Sequence, residues 1–509
     1  MTYEIRPIRK VLVANRGEIA LRIIRSCQEQ GIATVAVFSE ADRRALHVRE
    51  ADEAYLLGGA EAAASYLHIE RILAVAEESG ADAIHPGYGF LAENPAFAEA
   101  CIKAGLRFIG PPPEAIRAMG DKTLARQMMR EAGVPIPPGT TEAVRDVEEA
   151  QAIAEHIGYP VLIKAAAGGG GKGMRLVFKP EEFPAAFRGA QSEARSAFGD
   201  ERVYIEKYLQ EPRHIEFQIL ADAYGHVVHL FERECSIQRR HQKVVEEAPS
   251  VLLTPELREQ MGQAAIRAAR ACGYVNAGTV EFLVDADRQF YFMEMNTRLQ
   301  VEHPVTEAIT GIDLVAEQLR IAEGHPLRWQ QDDLRMVGHA IESRIYAEDP
   351  EHQFLPDTGT LKRYRAPGGP FVRVDDGVEE GDTITMYYDP LIAKLITWGR
   401  TREEARLRMI RALNAYEIAG VRTTIPFCRF VMEHPAFQEG TFSTHFVQEH
   451  FQPEKLRITS KETFEAVALG AAVGASRSRH RREESFHVDR QACPNPWWMK
   501  RRHRPAPLL

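Results

Sequence analysis

Between Gly278 and Pro304 the chain gathers side chains suited to hard cations and small oxyanions: Glu281, Glu294, Asn296, Arg298, Gln300 and Glu302. Thr279–Val284 and Gln289–Met295 flank Asp285-Ala286-Asp287-Arg288, a pattern that predicts a β-hairpin. A turn at those four residues sets Glu281 opposite Phe292, with Glu294 two residues further along the same face. Such diagonal neighbours lie roughly 7–8 Å apart, so the two carboxylates can converge on one or two Mg²⁺ ions. Beyond the hairpin, polar Glu294, Asn296, Arg298, Gln300 and Glu302 alternate with apolar Met295, Leu299 and Val301. An extended segment with that period lines one face with two acids, two amides and a guanidinium. Oxygen donors suit Mg²⁺, Arg298 suits a small oxyanion, and Glu302 could serve as a base. A half-buried strand with a wet outer face would also alternate. The crowding of hard-cation ligands at one end, and the stop at His303-Pro304, favour a metal–anion site.

Other segments could supply phosphate chemistry. Gly168-Gly169-Gly170-Gly171-Lys172-Gly173 joins the expected strands Val161–Lys164 and Arg175–Phe178. Adjacent glycines let backbone N–H groups curl around an anion, or let a hairpin tip flex as a lid. The loop is not a Walker A motif, which needs GK[ST] opening a helix. Lys164 and Lys122 could place point charges on phosphates, although either alone also reads as a surface charge. The run Glu232–Glu247 packs basic groups beside acidic ones, and reads either as a solvated face or as a polyanion pocket containing Gln238, His241 and Lys243. Arg344, in Glu342-Ser343-Arg344, lies in an expected strand, where a single arginine reads most simply as one half of a structural pair.

These groups need a scaffold larger than one core: 509 residues imply two to four packed units. Lys10 to Phe38 predicts strand, helix, strand, with Ile19, Ile23, Ile24 and Cys27 on one helix face and a stop at Gly31. This is half of an open parallel sheet, without the GxGxxG turn of a dinucleotide site. Pro111-Pro112-Pro113 marks a boundary, Met119–Ala132 a helix, and Gly133–Gly139 a linker. A small strand-rich unit is expected from Pro160 to Tyr208, then alternating strands and helices to Gly324, then an α+β unit from Met336 to His450. At 45% hydrophobic and 27% charged, the composition is that of a soluble globular protein. No stretch qualifies as a secretory signal or a membrane span, which predicts a cytoplasmic protein without a membrane partner. The six cysteines form no CxxC pair, which excludes a zinc ribbon or dithiol motif. A net charge of −9 offers nothing toward nucleic acid. Ser476–Leu509 carries nine Lys/Arg against three Asp/Glu and reads as a disordered basic extension.

Six segments in order resemble the biotin carboxylase family of the ATP-grasp superfamily. They are Ala14-Asn15-Arg16-Gly17-Glu18-Ile19-Ala20, His85-Pro86-Gly87-Tyr88-Gly89-Phe90-Leu91, the glycine loop, Arg239-Arg240-His241-Gln242-Lys243, Glu294 through Pro304, and Arg344-Ile345-Tyr346-Ala347-Glu348-Asp349-Pro350. The resemblance spans about Arg9 to His450. It implies an α/β and α+β fold: an N-terminal Rossmann-like (pre-ATP-grasp) domain over 1–115, an ATP-grasp domain over 116–335 with a mobile lid at about 136–208, and a C-terminal α+β domain over 336–450. Residues 451–509 would be an extension. Lys122, Lys164 and Gly168, Gly169, Gly170 and Gly171 would hold ATP phosphates. Glu206, Lys207 and Leu209 would receive adenine, with His214, Gln238 and His241 around the nucleoside. Glu281, Glu294 and Asn296 would hold Mg²⁺ (or Mn²⁺). Lys243, Arg298, Gln300, Val301 and Glu302 would surround bicarbonate, with Glu302 the base, and Arg344 would stabilise a biotin enolate. The resemblance further implies carboxyphosphate as intermediate, a homodimer, and biotin carboxyl carrier and carboxyltransferase partners. No Ala/Val-Met-Lys-Met biotin acceptor occurs, so those partners are expected on separate chains. Another ATP-grasp carboxylate–amine ligase would share the glycine loop and acidic ligands, whereas a non-catalytic ATP-binding scaffold predicts broken metal or phosphate positions, and none of the candidates is missing. Glu302 with Arg298, and Arg344 in its Glu-Ser-Arg strand, separate the ligase reading from the biotin carboxylase one.

Overall fold

Helix Gly17–Glu29 buries Ile19, Ile23, Ile24 and Cys27 against the strands on either side of it in sequence, Lys10–Val13 and Ala33–Ser39. The computed structural model describes residues 5–140, 143–165 and 174–456. Those two strands pair in parallel within a five-stranded sheet, with Glu53–Gly58 beyond Ala33–Ser39 and Ala83–His85 and Arg107–Phe108 on the other side. Strand order reverses around Lys10–Val13, so its C-terminal end opens into the crevice typical of a doubly wound sheet. There Asn15 Nδ2 donates to the carbonyls of Pro86 and Tyr88, 2.7 Å each, clasping two loops of the sheet together.

The expected helix Met119–Ala132 is two helices, Pro113–Gly120 and Lys122–Glu131. Asp121 breaks it, because its carboxylate caps the second helix by accepting from the amides of Thr123 and Leu124 at 2.9 and 3.0 Å. The small strand-rich unit is a three-stranded sheet, Arg175–Val177, Val161–Ala165 and Val203–Lys207, covered by helices Val147–Ile157 and Phe183–Phe198. It closes a core of its own around Val161, Ile163, Phe183, Phe187 and Ile205. The glycine run 168–171 and the basic C-terminal extension lie outside the described residues.

From Arg213 onward the chain departs from strict strand–helix alternation. Strands Arg213–Ala221, Val227–Arg239 and Gln242–Ala248 follow one another directly, before helix Pro255–Ala271 intervenes. They join an eight-stranded antiparallel sheet ordered Phe290–Asn296, Asn276–Val284, Arg213–Ala221, Val227–Arg239, Gln242–Ala248, His339–Tyr346, Leu391–Gly399, Val372–Asp376. The last three strands come from the C-terminal segment, so one sheet carries side chains from both halves of the chain into a common site. Among the described residues, no helix is long and apolar enough to cross a membrane. Cys27, Cys101, Cys235 and Cys428 are buried free thiols.

Candidate active site

The hairpin forms, with a different register from the one its turn residues suggest. Val284 pairs with Phe290, and Arg288 takes a left-handed φ of +61°, so the loop is Asp285–Gln289. Phe282 then faces Phe292, while Glu281 faces Glu294 directly, because Met293 is an extra residue in a β-bulge. The expected Glu281–Phe292 pairing is therefore replaced by two carboxylates side by side. On its other flank Glu281 pairs with Glu216, and Glu216 with Arg233. A row of charges, Glu294–Glu281–Glu216–Arg233, crosses four strands.

The expected extended run to Glu302 also ends early. The strand stops at Asn296, and residues 297–302 form a buried irregular loop leading into helix His303–Thr310, whose first turn holds Pro304. Tertiary contacts, and no ladder, hold the alternate polar side chains inward. Gln300 Nε2 and Asn296 Nδ2 donate to Glu281 Oε1 at 2.6 and 2.8 Å. Arg298 donates to Asn296 Oδ1 at 2.8 Å and to Glu93 Oε2 at 2.9 Å.

Lys243 is the hub. Its ammonium donates to Glu302 Oε1 at 2.7 Å, Glu281 Oε1 at 2.9 Å and Gln300 Oε1 at 3.2 Å, and also to Glu216. Arg344 reaches the same centre from its neighbouring strand: Nη2 donates to Glu302 Oε2 at 2.9 Å and Nε to Glu246 Oε1 at 2.6 Å. Glu302 is fully buried and bridges the two cations. Burial by itself would raise its pKa, but Lys243, Arg344 and Arg233 outweigh that and hold the carboxylate well below the usual range. Against the same desolvation, Lys243 and His214 hold Glu281 well below it. Desolvation and the like charge of Glu281 push Glu294 up, and desolvation and Glu302 push Glu216 up. Burial lifts Glu246 to about 7 against the pull of Arg344. The carboxylates Glu93, Glu216, Glu246, Glu281, Glu294 and Glu302 outnumber the cations Arg233, Lys243, Arg298 and Arg344. A divalent cation at Glu281, Glu294 and the Asn296 amide oxygen suits both this excess negative charge and the all-oxygen donors.

The nucleotide candidates form a second group beside the three-stranded sheet. Glu206, at the end of strand Val203–Lys207, pairs with both Lys164 and Arg126, and the charge of Lys122 also reaches it. Lys207 turns its ammonium away, onto the carbonyls of Gly158 (2.8 Å) and Tyr159 (3.1 Å). Leu209 is half-buried in the link to strand Arg213–Ala221. His214 connects the groups: Nε2 lies 2.8 Å from Glu281 Oε2, and Nδ1 lies 2.8 Å from Gln238 Nε2. His241 is exposed in the two-residue turn after Arg239, where Arg240 and His241 both hold positive φ, +47° and +65°.

Sequence reading passed over Glu216, Arg233, Glu246 and Glu93, which pack around the named residues. Arg233 is wholly buried and donates to Glu216, Gln218, Thr279 and Thr306 within 3.0 Å. For Arg233 and Glu246 the signal lies in the Glu232–Glu247 run, most of whose charges belong to central strands of the sheet.

Three family models match the chain: the biotin carboxylase N-terminal domain over residues 7–116, the carbamoyl-phosphate synthase L chain ATP-binding domain over 121–330, and the biotin carboxylase C-terminal domain over 342–449. The biotin carboxylase of Nostoc sp. is 58% identical over 440 residues, covering 86% of this chain and 98% of that protein. The biotin carboxylase of Halalkalibacterium halodurans is 56% identical over 444 residues, covering 87% and 98%. Among solved structures, the biotin carboxylase domain dimer of Hydrogenobacter thermophilus 2-oxoglutarate carboxylase, with MgADP, ADP and bicarbonate, is similar at a TM-score of 0.83 and 52% identity, covering 89% of this chain and 100% of that one. A biotin carboxylase–nucleotide complex from Campylobacter jejuni is similar at 0.83 and 47%, covering 87% and 99%.

Proposed function

The chain belongs to the biotin carboxylase family, and from that premise we propose that it carries out the ATP- and bicarbonate-dependent carboxylation of biotin borne on a carrier protein. The observation that carries this reading is the buried Lys243–Glu302–Arg344 constellation beside the paired carboxylates Glu281 and Glu294.

Phosphoryl transfer depends on positioning and charge neutralisation. Lys122, Lys164 and the glycines Gly168, Gly169, Gly170 and Gly171 hold the phosphates, while Glu206, Lys207 and Leu209 receive adenine and His214, Gln238 and His241 flank the nucleoside. Glu281, Glu294 and Asn296 hold Mg²⁺ (or Mn²⁺), which when bound neutralises charge on the phosphate oxygens. Lys243, Arg298, Gln300 and Val301 receive bicarbonate, and Glu302 accepts its proton as it attacks the γ-phosphate, breaking the bond to the β-phosphate so that carboxyphosphate forms and ADP leaves. Lys243 and Arg344 both neutralise Glu302 and hold it ionised, the form that can accept a proton. Carboxyphosphate breaks down to CO₂ and phosphate, and the phosphate takes the ureido proton of biotin. Arg344 meets the resulting planar enolate oxygen with a planar guanidinium.

The domain plan follows the same reading: a Rossmann-like unit over 1–115, an ATP-grasp unit over 116–335 with its lid at about 136–208, and a C-terminal unit over 336–450. A homodimer is supported by the dimeric Hydrogenobacter relative. A biotin carboxyl carrier protein and a carboxyltransferase are the partners, and the cytoplasm is the proposed compartment. The test is phosphate release from ATP with Mg²⁺, with and without bicarbonate and free biotin. The reading expects dependence on bicarbonate and stimulation by biotin; release indifferent to both would overturn it.

A further inference from the structure

Behind the loop 297–302 lies a lysine that the proposed chemistry does not use. Lys394 is fully buried in the middle of strand Leu391–Gly399. Its cross-strand partners are Arg344 on one side and Asp375 on the other, so its side chain leaves the sheet on the same face as Arg344. Nζ donates to the carbonyl oxygen of Val301 at 3.1 Å and pairs with Glu18 Oε2 at 3.1 Å; Asp375 Oδ2 stands 3.8 Å away. Glu18 comes from the first helix of the N-terminal sheet, and its other oxygen accepts from the hydroxyl of Tyr88. The remaining charge of Asp375 is met by Arg373 at 2.7 Å.

A buried ammonium is costly, and with well-placed partners available it holds one position. Here one of the partners is a backbone carbonyl between Gln300 and Glu302, in a loop that lacks ladder hydrogen bonds. We propose that Lys394 is a positioning residue for the bicarbonate reaction: it fixes the Val301 peptide from behind and ties that loop, through Glu18, to the Tyr88 loop of the N-terminal unit. Gln300 and Glu302 then point at the anion because the peptide between them cannot rotate. Burial pushes the Glu18 carboxyl up to about 7, and Lys394 is the chief group opposing that shift, which fits a mutually dependent pair. The inference rests on the bicarbonate reading of Gln300, Val301 and Glu302 given above.

The test compares the purified full chain with the double variant Lys394→Met/Glu18→Gln, which removes both charges together and leaves Asp375 its arginine. Steady-state phosphate release is measured while bicarbonate and ATP are varied separately, alongside thermal unfolding. Losing a charge-assisted hydrogen bond to the loop should raise the bicarbonate KM about tenfold and leave the ATP KM within about twofold. A folded double variant whose bicarbonate KM stays within twofold of the parent overturns the proposal, as does one whose two KM values rise together. If the double variant does not fold, Glu18→Gln alone keeps the lysine but weakens its anchor, and a bicarbonate KM rise of about threefold is expected. No rise there is equally decisive against it. Should the unmodified chain show no bicarbonate dependence, the bicarbonate reading itself fails, which is a different result from an unmoved KM in the variants.

Discussion

Replacing Glu302 with glutamine tests the centre of the site at a single atom. The carboxylate accepts from Lys243 at 2.7 Å through one oxygen and from Arg344 at 2.9 Å through the other, wholly buried. A glutamine offers one oxygen, and its NH₂ must face a cation that can only donate. Severing a buried ion pair costs about 3–5 kcal/mol when the surviving charge is stranded. Neither cation is stranded here: Lys243 keeps Glu216 and Glu281, and Arg344 keeps Glu246. The stability loss should therefore fall near about 2 kcal/mol, close to one charged hydrogen bond. The kinetic loss should be larger, because removing a general base costs about 10²–10⁴-fold. Thermal unfolding and bicarbonate-dependent phosphate release from one preparation separate the two effects. A folded Glu302→Gln enzyme retaining bicarbonate-dependent kcat within about threefold of the parent would refute the assignment of Glu302 as base.

Other residues give independent checks. Glu294→Gln removes one of two facing carboxylates and should raise the Mg²⁺ concentration for half-maximal rate by about tenfold or more, read from a metal titration. Arg344→Ala should abolish stimulation of phosphate release by free biotin, measured as the ratio of rates with and without it. Glu247, on the opposite face of its strand from Glu246, pairs with Arg402 at 2.6 Å and His339 at 2.7 Å. Burial would raise it, but Arg402 and His339 win and lower it from 4.5 to about 2. Its contribution is thus complete above pH 4.5 and is lost as pH falls from 4.5 through about 2. That shift corresponds to about 3 kcal/mol, so Glu247→Gln should unfold more easily at neutral pH and show a flatter acid limb in chemical denaturation.

Much of the N-terminal sheet was legible because its signals are local. Val11-Leu12-Val13, the helix stripe Ile19, Ile23, Ile24 and Cys27, and Gly31 at φ +69° each act within a turn or two of chain. The strand around Arg344 followed the same logic. Other expectations yielded, one to a local cap and the rest to strand pairing and packing. The helix at Met119 broke where Asp121 found two amides to cap, the hairpin gained a bulge at Met293, and the strand beyond Asn296 gave way to a loop held by side chains.

Residue type and spacing alone determined that oxygen donors, a guanidinium and a candidate base lie close together between Glu281 and Glu302, since a tight hairpin and a short alternating run can scarcely separate them. What meets that segment was decided by tertiary structure. Glu281 stands between Glu294 and Glu216 because strand pairing joins segments far apart in the chain, and one bulged residue resets every partner beyond it. Lys243, Arg233, Arg344 and Lys394 converge from four strands. A charged residue carries no local mark of burial, so only the assembled sheet distinguishes these from lysines and arginines in water.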